Sequence, residues 1–93
     1  MILTTGSKFK RSFKRLIKKN PQLQNKILAT LETLSHDPFT PSLKSHKLTG
    51  QLEGLWACWV AYDCRIVFAF QAAPETGEDL IVLVDIGSHD DVY

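Results

Sequence analysis

Apolar positions recur along this chain with two different periods. In 8–19, Phe9, Phe13, Leu16 and Ile17 fall at helical spacing while Lys and Arg fill most of the remaining positions, which predicts an amphipathic helix. Gly6-Ser7 supplies a turn ahead of it, with Ser7 as the candidate N-cap. Asn20-Pro21 breaks the pattern and starts another helix: asparagine can cap, and proline is tolerated at the first helical position. Leu23, Ile27, Leu31 and Leu34 form the second apolar stripe, and so short a connection predicts an antiparallel helical hairpin. His36 falls at the end of that second helix, and a proline-punctuated loop over 36–42 follows it. Beyond that loop the period shortens. Leu55 to Ala61, Arg65 to Gln71 and Leu80 to Ile86 are β-prone runs, and Ile2 to Thr5 is a shorter one at the N-terminus. The expectation is an α+β fold of order β-α-α-β-β-β. It comprises one domain over residues 1–93, with a mostly antiparallel four-stranded sheet and the helical hairpin packed on one face.

Strand parity decides which side chains look outward. A three-residue loop at Tyr62-Asp63-Cys64 pairs Ala61 with Arg65 and gathers Cys58, Val60, Ile66, Phe68 and Phe70 on the helix face. Trp59, Arg65, Val67 and Ala69 then point away from the helices. A two-residue loop would instead bury Trp59 and expose Cys58 and Val60. The first register is preferred, because it collects the apolar residues and sets an indole beside a guanidinium where an unstacked base can lie.

Composition adds a polarity that the net charge of +1 conceals. Residues 1–48 hold ten Lys/Arg against two Asp/Glu, whereas residues 49–93 hold one against eight. A basic half suits a phosphate-bearing partner, with a solvated helix face as the plain alternative. Lys14, Lys18, Lys44 and Lys47 are assigned to phosphate contacts, against simple solubility. The two cysteines, Cys58 in the core and Cys64 in the hairpin turn, have no partners at metal-ligand spacing. No metal and no cofactor are implied, and a reducing compartment is expected. No apolar stretch is long enough for a bilayer span, so a soluble, cytoplasmic protein is the expectation.

Candidate chemistry gathers at three places: His46 in Lys44-Ser45-His46-Lys47, Arg65 at the start of a strand, and His89 in the ending Gly87-Ser88-His89-Asp90-Asp91-Val92-Tyr93. Two imidazoles can share proton transfer near neutral pH, and a guanidinium fork can hold a phosphate while charge builds on it. The same segments carry a resemblance. His46-Lys47-Leu48-Thr49-Gly50, Gly54-Leu55-Trp56, Asp63 to Phe68 and the Gly-Ser-His-Asp-Asp-Val-Tyr ending, in that order, resemble the RelE/ParE toxin superfamily, closest to its YafQ-like branch.

That resemblance implies the toxin of a type II toxin-antitoxin pair, a metal-independent endoribonuclease that cuts messenger RNA in the ribosomal A site by 2′-OH transesterification. It implies His46 and His89 as acid and base, Asp63 as an orienting carboxylate, Arg65 as the phosphate-stabilising cation and Tyr93 as a base-stacking ring. Trp59 joins the RNA-binding set. It also implies a cognate antitoxin partner, assembled with the toxin as a hetero-oligomer. Two positions depart from the branch: Trp59 stands where a further histidine is expected, and Asp85 where an arginine is expected. The expectation is that Arg65 takes over the cationic role and Asp85 pairs with it. A ParE-type gyrase inhibitor and a catalytically inactive antitoxin-binding relative are the alternatives.

Overall fold

The computed structural model describes residues 1–93. Strand β1 (Ile2–Thr5) leads into helix α1 (Ser7–Lys19) and helix α2 (Leu23–His36). Then follow β2 (His46–Lys47), β3 (Trp56–Ala61), β4 (Cys64–Ala72), β5 (Asp79–Gly87) and a final single-turn helix α3 (His89–Val92). Single 3₁₀ turns over Pro41–Leu43 and Gly50–Leu52 flank β2. The sheet runs β1-β5-β4-β3-β2, with β1 parallel to β5 and every other pair antiparallel. It has one strand more than expected. Two residues are too few to show a period, which is why His46–Lys47 reads as loop in the sequence.

Both long helices form where their apolar stripes predict, with small shifts at their starts. Gly6, not Ser7, occupies the N-cap of α1, and no side chain caps it. Lys18 and Lys19 in the last turn complement the helix dipole. Asn20 closes α1 by donating its N–H to Leu16 O, and Pro21-Gln22 form a tight turn before α2 begins at Leu23. Ile27 and Leu34 of α2 are fully buried, as is Phe68 of β4; Phe9 of α1 is nearly so. Together with Leu43, Cys58, Val60, Cys64, Ile66, Ile81, Leu83 and Ile86 they make one core between helices and sheet.

The hairpin between β3 and β4 differs from expectation in an instructive way. Its loop has two residues, Tyr62 and Asp63, and Ala61 pairs with Cys64. Cys64 is therefore the first residue of β4, buried in the core, and not a turn residue. Yet Cys58 and Val60 remain buried, and Trp59, which replaces Ala61 as the partner of Arg65, stays on the other face, because β3 carries a bulge at Val60. One extra residue on one strand restores the parity that the shorter loop would have reversed. A second irregularity at Val84 separates the Val67–Asp85 pair from the Phe68–Leu83 pair.

Candidate active site on the open face of the sheet

Alternation along the strands puts Ala57, Trp59, Arg65 and Val67 on the face away from α1 and α2, and His46, the cross-strand partner of Ala57, joins them. α3 lies over β4 and β5. It is held by a capping box: Ser88 Oγ accepts from Asp91 N at 3.2 Å, and Asp91 Oδ2 accepts from Ser88 N at 3.4 Å. Val92 is buried beneath it, and Gly87 leaves room for it, since a Cβ there would stand 3.1 Å from Asp91 Cβ. The Ser88-x-x-Asp91 spacing was the local signal for this helix. One helical turn sets His89 and Tyr93 side by side, with ring centroids 4.4 Å apart.

Tyr93 is the meeting point of the site. The His46 ring approaches it edge-on at 6.3 Å, so both imidazoles border the same phenol. Burial raises the ionisation of the Tyr93 hydroxyl above its ordinary value, opposed by the positive charge of Arg65. The phenol is neutral at physiological pH. His46 Nδ1 lies 3.0 Å from the carbonyl oxygen of Lys44; a carbonyl can only accept, so Nδ1 is the donor in this contact, and in a neutral ring that leaves Nε2 as the acceptor nitrogen. His89 makes only a loose approach to Asp90, 3.7 Å between exposed side chains.

Positive charge surrounds Trp59. Lys44 Nζ stands 5.3 Å and Arg65 Cζ 5.9 Å from its ring centroid. Arg65 also spends one terminal nitrogen on the hairpin backbone, donating to Ala61 O at 2.7 Å, Cys64 O at 3.1 Å and Tyr62 O at 3.3 Å. It makes no ion pair with Asp85, contrary to expectation. The irregularity beside Val84 turns Asp85 toward α1 instead, where it accepts from Ser12 Oγ at 2.7 Å and Ile86 N at 2.9 Å and pairs with Lys8 Nζ at 3.4 Å. A bulge one residue earlier on the same strand cannot be read from alternation, which is why the sequence points this carboxylate to the wrong face.

The other sequence candidates fall elsewhere. Asp63 occupies the exposed hairpin turn and bonds neither imidazole. Lys47 follows His46 on a strand and so points to the opposite face, 5.7 Å from the Trp56 ring. Lys14 and Lys18 are exposed on α1, in the helix layer, with the sheet between them and the imidazoles. Residues not singled out from the sequence line a groove of about 410 Å³ between α1 and the end of β5, among them Lys8, Arg11, Arg15 and Lys19. Their spacing of three and four was the available signal, lost among so many basic residues. No three His, Cys, Asp or Glu side chains cluster so as to hold a metal ion, and no helix is long and apolar enough to cross a membrane.

A helical hairpin packed on a mostly antiparallel sheet is the RelE-like fold, and here its open face carries two imidazoles, a phenol and cations. The family model described as the bacterial toxin of the type II toxin-antitoxin system, YafQ, matches residues 1–93, and the chain belongs to that family. Among solved structures, YafQ from E. coli strain BL21(DE3) superposes with a TM-score of 0.79 at 17% identity, over 98% of this chain and 96% of that one. The YoeB/ParE toxin from Agrobacterium tumefaciens gives 0.77 at 16% identity, over 96% and 99%. YafQ in the E. coli DinJ-YafQ complex gives 0.71 at 21% identity, over 98% and 96%. These likenesses show the fold. A search of curated proteins found no sequence match.

Proposed function

We propose that this type II toxin is an endoribonuclease that cuts messenger RNA on the ribosome, in the A site, by attack of a ribose 2′-OH on the adjacent phosphate. The observation that carries the reading is the pair of imidazoles bordering Tyr93 on a face lined by Arg65 and Lys44. His46, with Nε2 unprotonated, takes the 2′-OH proton as that oxygen bonds to phosphorus. His89, entering as imidazolium, protonates the departing 5′ oxygen as its bond to phosphorus breaks, leaving a 2′,3′-cyclic phosphate. Arg65, whose remaining N–H groups have no protein acceptor, and Lys44 stabilise the extra negative charge between those events. Tyr93 and Trp59 offer rings for the flanking bases. Asp63, in the hairpin turn, orients neither ring, which leaves it a role toward the substrate. Side chains suffice for each step.

The DinJ-YafQ complex supports a cognate antitoxin for this chain too; we propose that the two form a cytoplasmic hetero-oligomer in which the nuclease is restrained. A specific observation favours a second reading. Trp59 replaces an expected imidazole, and Asp85 brings no cation to the open face, which suits an inactive relative that only binds antitoxin. Induced expression separates the readings. Growth arrest with fragmented messenger bearing cyclic phosphate ends supports cleavage; arrest with DNA damage supports gyrase inhibition; healthy cells support the inactive relative.

A further inference from the structure

Lys44 is the one non-glycine residue with a positive φ, 50°, paired with ψ 39°. Left-handed backbone is disfavoured for a residue with a Cβ, and is reached mainly by glycine and, less often, asparagine. Here it does something specific. Lys44 closes the Pro41–Leu43 turn by donating its N–H to Pro41 O at 3.2 Å, and its own carbonyl swings round to accept from His46 Nδ1 at 3.0 Å. The chain runs on from that turn into β2, so the residue that redirects the backbone also grips the ring two positions later. Its ammonium meanwhile rests over Trp59.

We infer that Lys44 is a positioning residue: its left-handed backbone carbonyl sets the tautomer and orientation of His46, so that Nε2 is the atom presented to substrate. The inference rests on the reading of His46 as the proton acceptor. It assigns the function of position 44 to the main chain as well as to the ammonium. A solvated neutral imidazole favours the Nε2–H tautomer, which is the wrong one for accepting a proton at Nε2, and the bond from Nδ1 to the Lys44 carbonyl reverses that preference. A Ser-His-Asp triad shows how costly a wrong tautomer is, at about ten-thousandfold in kcat.

Substitution separates the two parts of the residue. Lys44→Gly and Lys44→Asn keep access to left-handed backbone and remove the ammonium; Lys44→Val removes the ammonium and, being β-branched, resists that backbone. The tautomer is read from the ¹⁵N shifts of the His46 ring at a pH where the ring is neutral, and cleavage from kcat and KM on a short RNA. Expected are the Nδ1–H tautomer in the parent, Gly and Asn chains, and a rise in Nε2–H in the Val chain. The Val chain should also show kcat about tenfold or more below that of the Gly chain, at similar KM. An Nε2–H tautomer at His46 in the unmodified chain would overturn the inference without any variant having to fold. Equal tautomer populations in the Gly and Val chains would overturn it as well. A parent chain with the expected tautomer that leaves RNA intact would instead sink the ribonuclease reading, while the hold of the backbone on the ring would stand.

Discussion

His46, His89 and Tyr93 converge although 43 positions separate the two histidines in the chain, and the histidines should respond to substitution differently from the tyrosine. His46→Gln and His89→Gln remove proton transfer while keeping much of the side-chain volume. Each is expected to lower the cleavage rate on RNA by about 10²- to 10⁴-fold with little change in melting temperature. Tyr93→Phe keeps the ring and should retain most of the rate, whereas Tyr93→Ala should raise KM, if stacking is the contribution of this residue. The buried thiols give a prediction of a different kind. Burial pushes Cys58 up to about 12 and Cys64 up to about 11, from an ordinary 9.0. As pH rises past 9 the unfolded chain releases those protons first, so stability that is fully present below pH 9 declines through about 11 and 12. Urea midpoints at pH 8 and pH 10 should diverge more for the parent than for a Cys58→Ala, Cys64→Ala chain. At the same scale, much of the site was legible: both histidines, Arg65 and Tyr93 carry chemistry in their residue types. The face taken by Asp85 and Lys47 was not, because it depends on a bulge in one case and on an unrecognised strand in the other.

Elements show how local rules yield to pairing. The apolar stripes of α1 and α2 are periodic over about two and about three turns respectively, and both helices form where those stripes lie. Ile27 fills the middle of one stripe and is fully buried. Ile27→Ala should cost about 2–5 kcal/mol, and the melting temperature should fall by roughly 10 °C or more, as calorimetry would measure. α3 is the opposite case. At four residues it cannot stand on propensity and depends on its capping box and on Val92. Ser88→Ala is expected to cost about 1 kcal/mol locally. Its larger effect should fall on cleavage, since the turn carries both His89 and Tyr93, with circular dichroism of the chain unchanged. Gly87→Ala should act similarly, by pressing a methyl group against Asp91. Equal activity in all three chains would mean that the site does not need this helix.

At the scale of the whole molecule, the charge asymmetry of the chain becomes a spatial one. The basic residues of α1 occupy the helix layer, while Lys44 and Arg65 serve the open face, so two cationic surfaces lie on opposite sides of the sheet. Neutralising Lys44 should reduce the salt slope of RNA affinity by about 0.7, the single-strand value for one phosphate contact; neutralising Lys14 and Lys18 should leave affinity for a short RNA unchanged. A filter-binding titration across salt concentrations distinguishes them. By itself the sequence determined the fold class, the two helices, the three long strands and the residue types of the site, because periodicity and side-chain chemistry are properties of short stretches. Tertiary structure alone decided the fifth strand, the two-residue hairpin with its compensating bulge and the turn of Asp85 into α1. Each of those rests on a contact between segments, or on a one-residue offset in pairing. A shift of that size leaves the pattern of apolar and polar residues untouched while moving a side chain to the other face of the sheet.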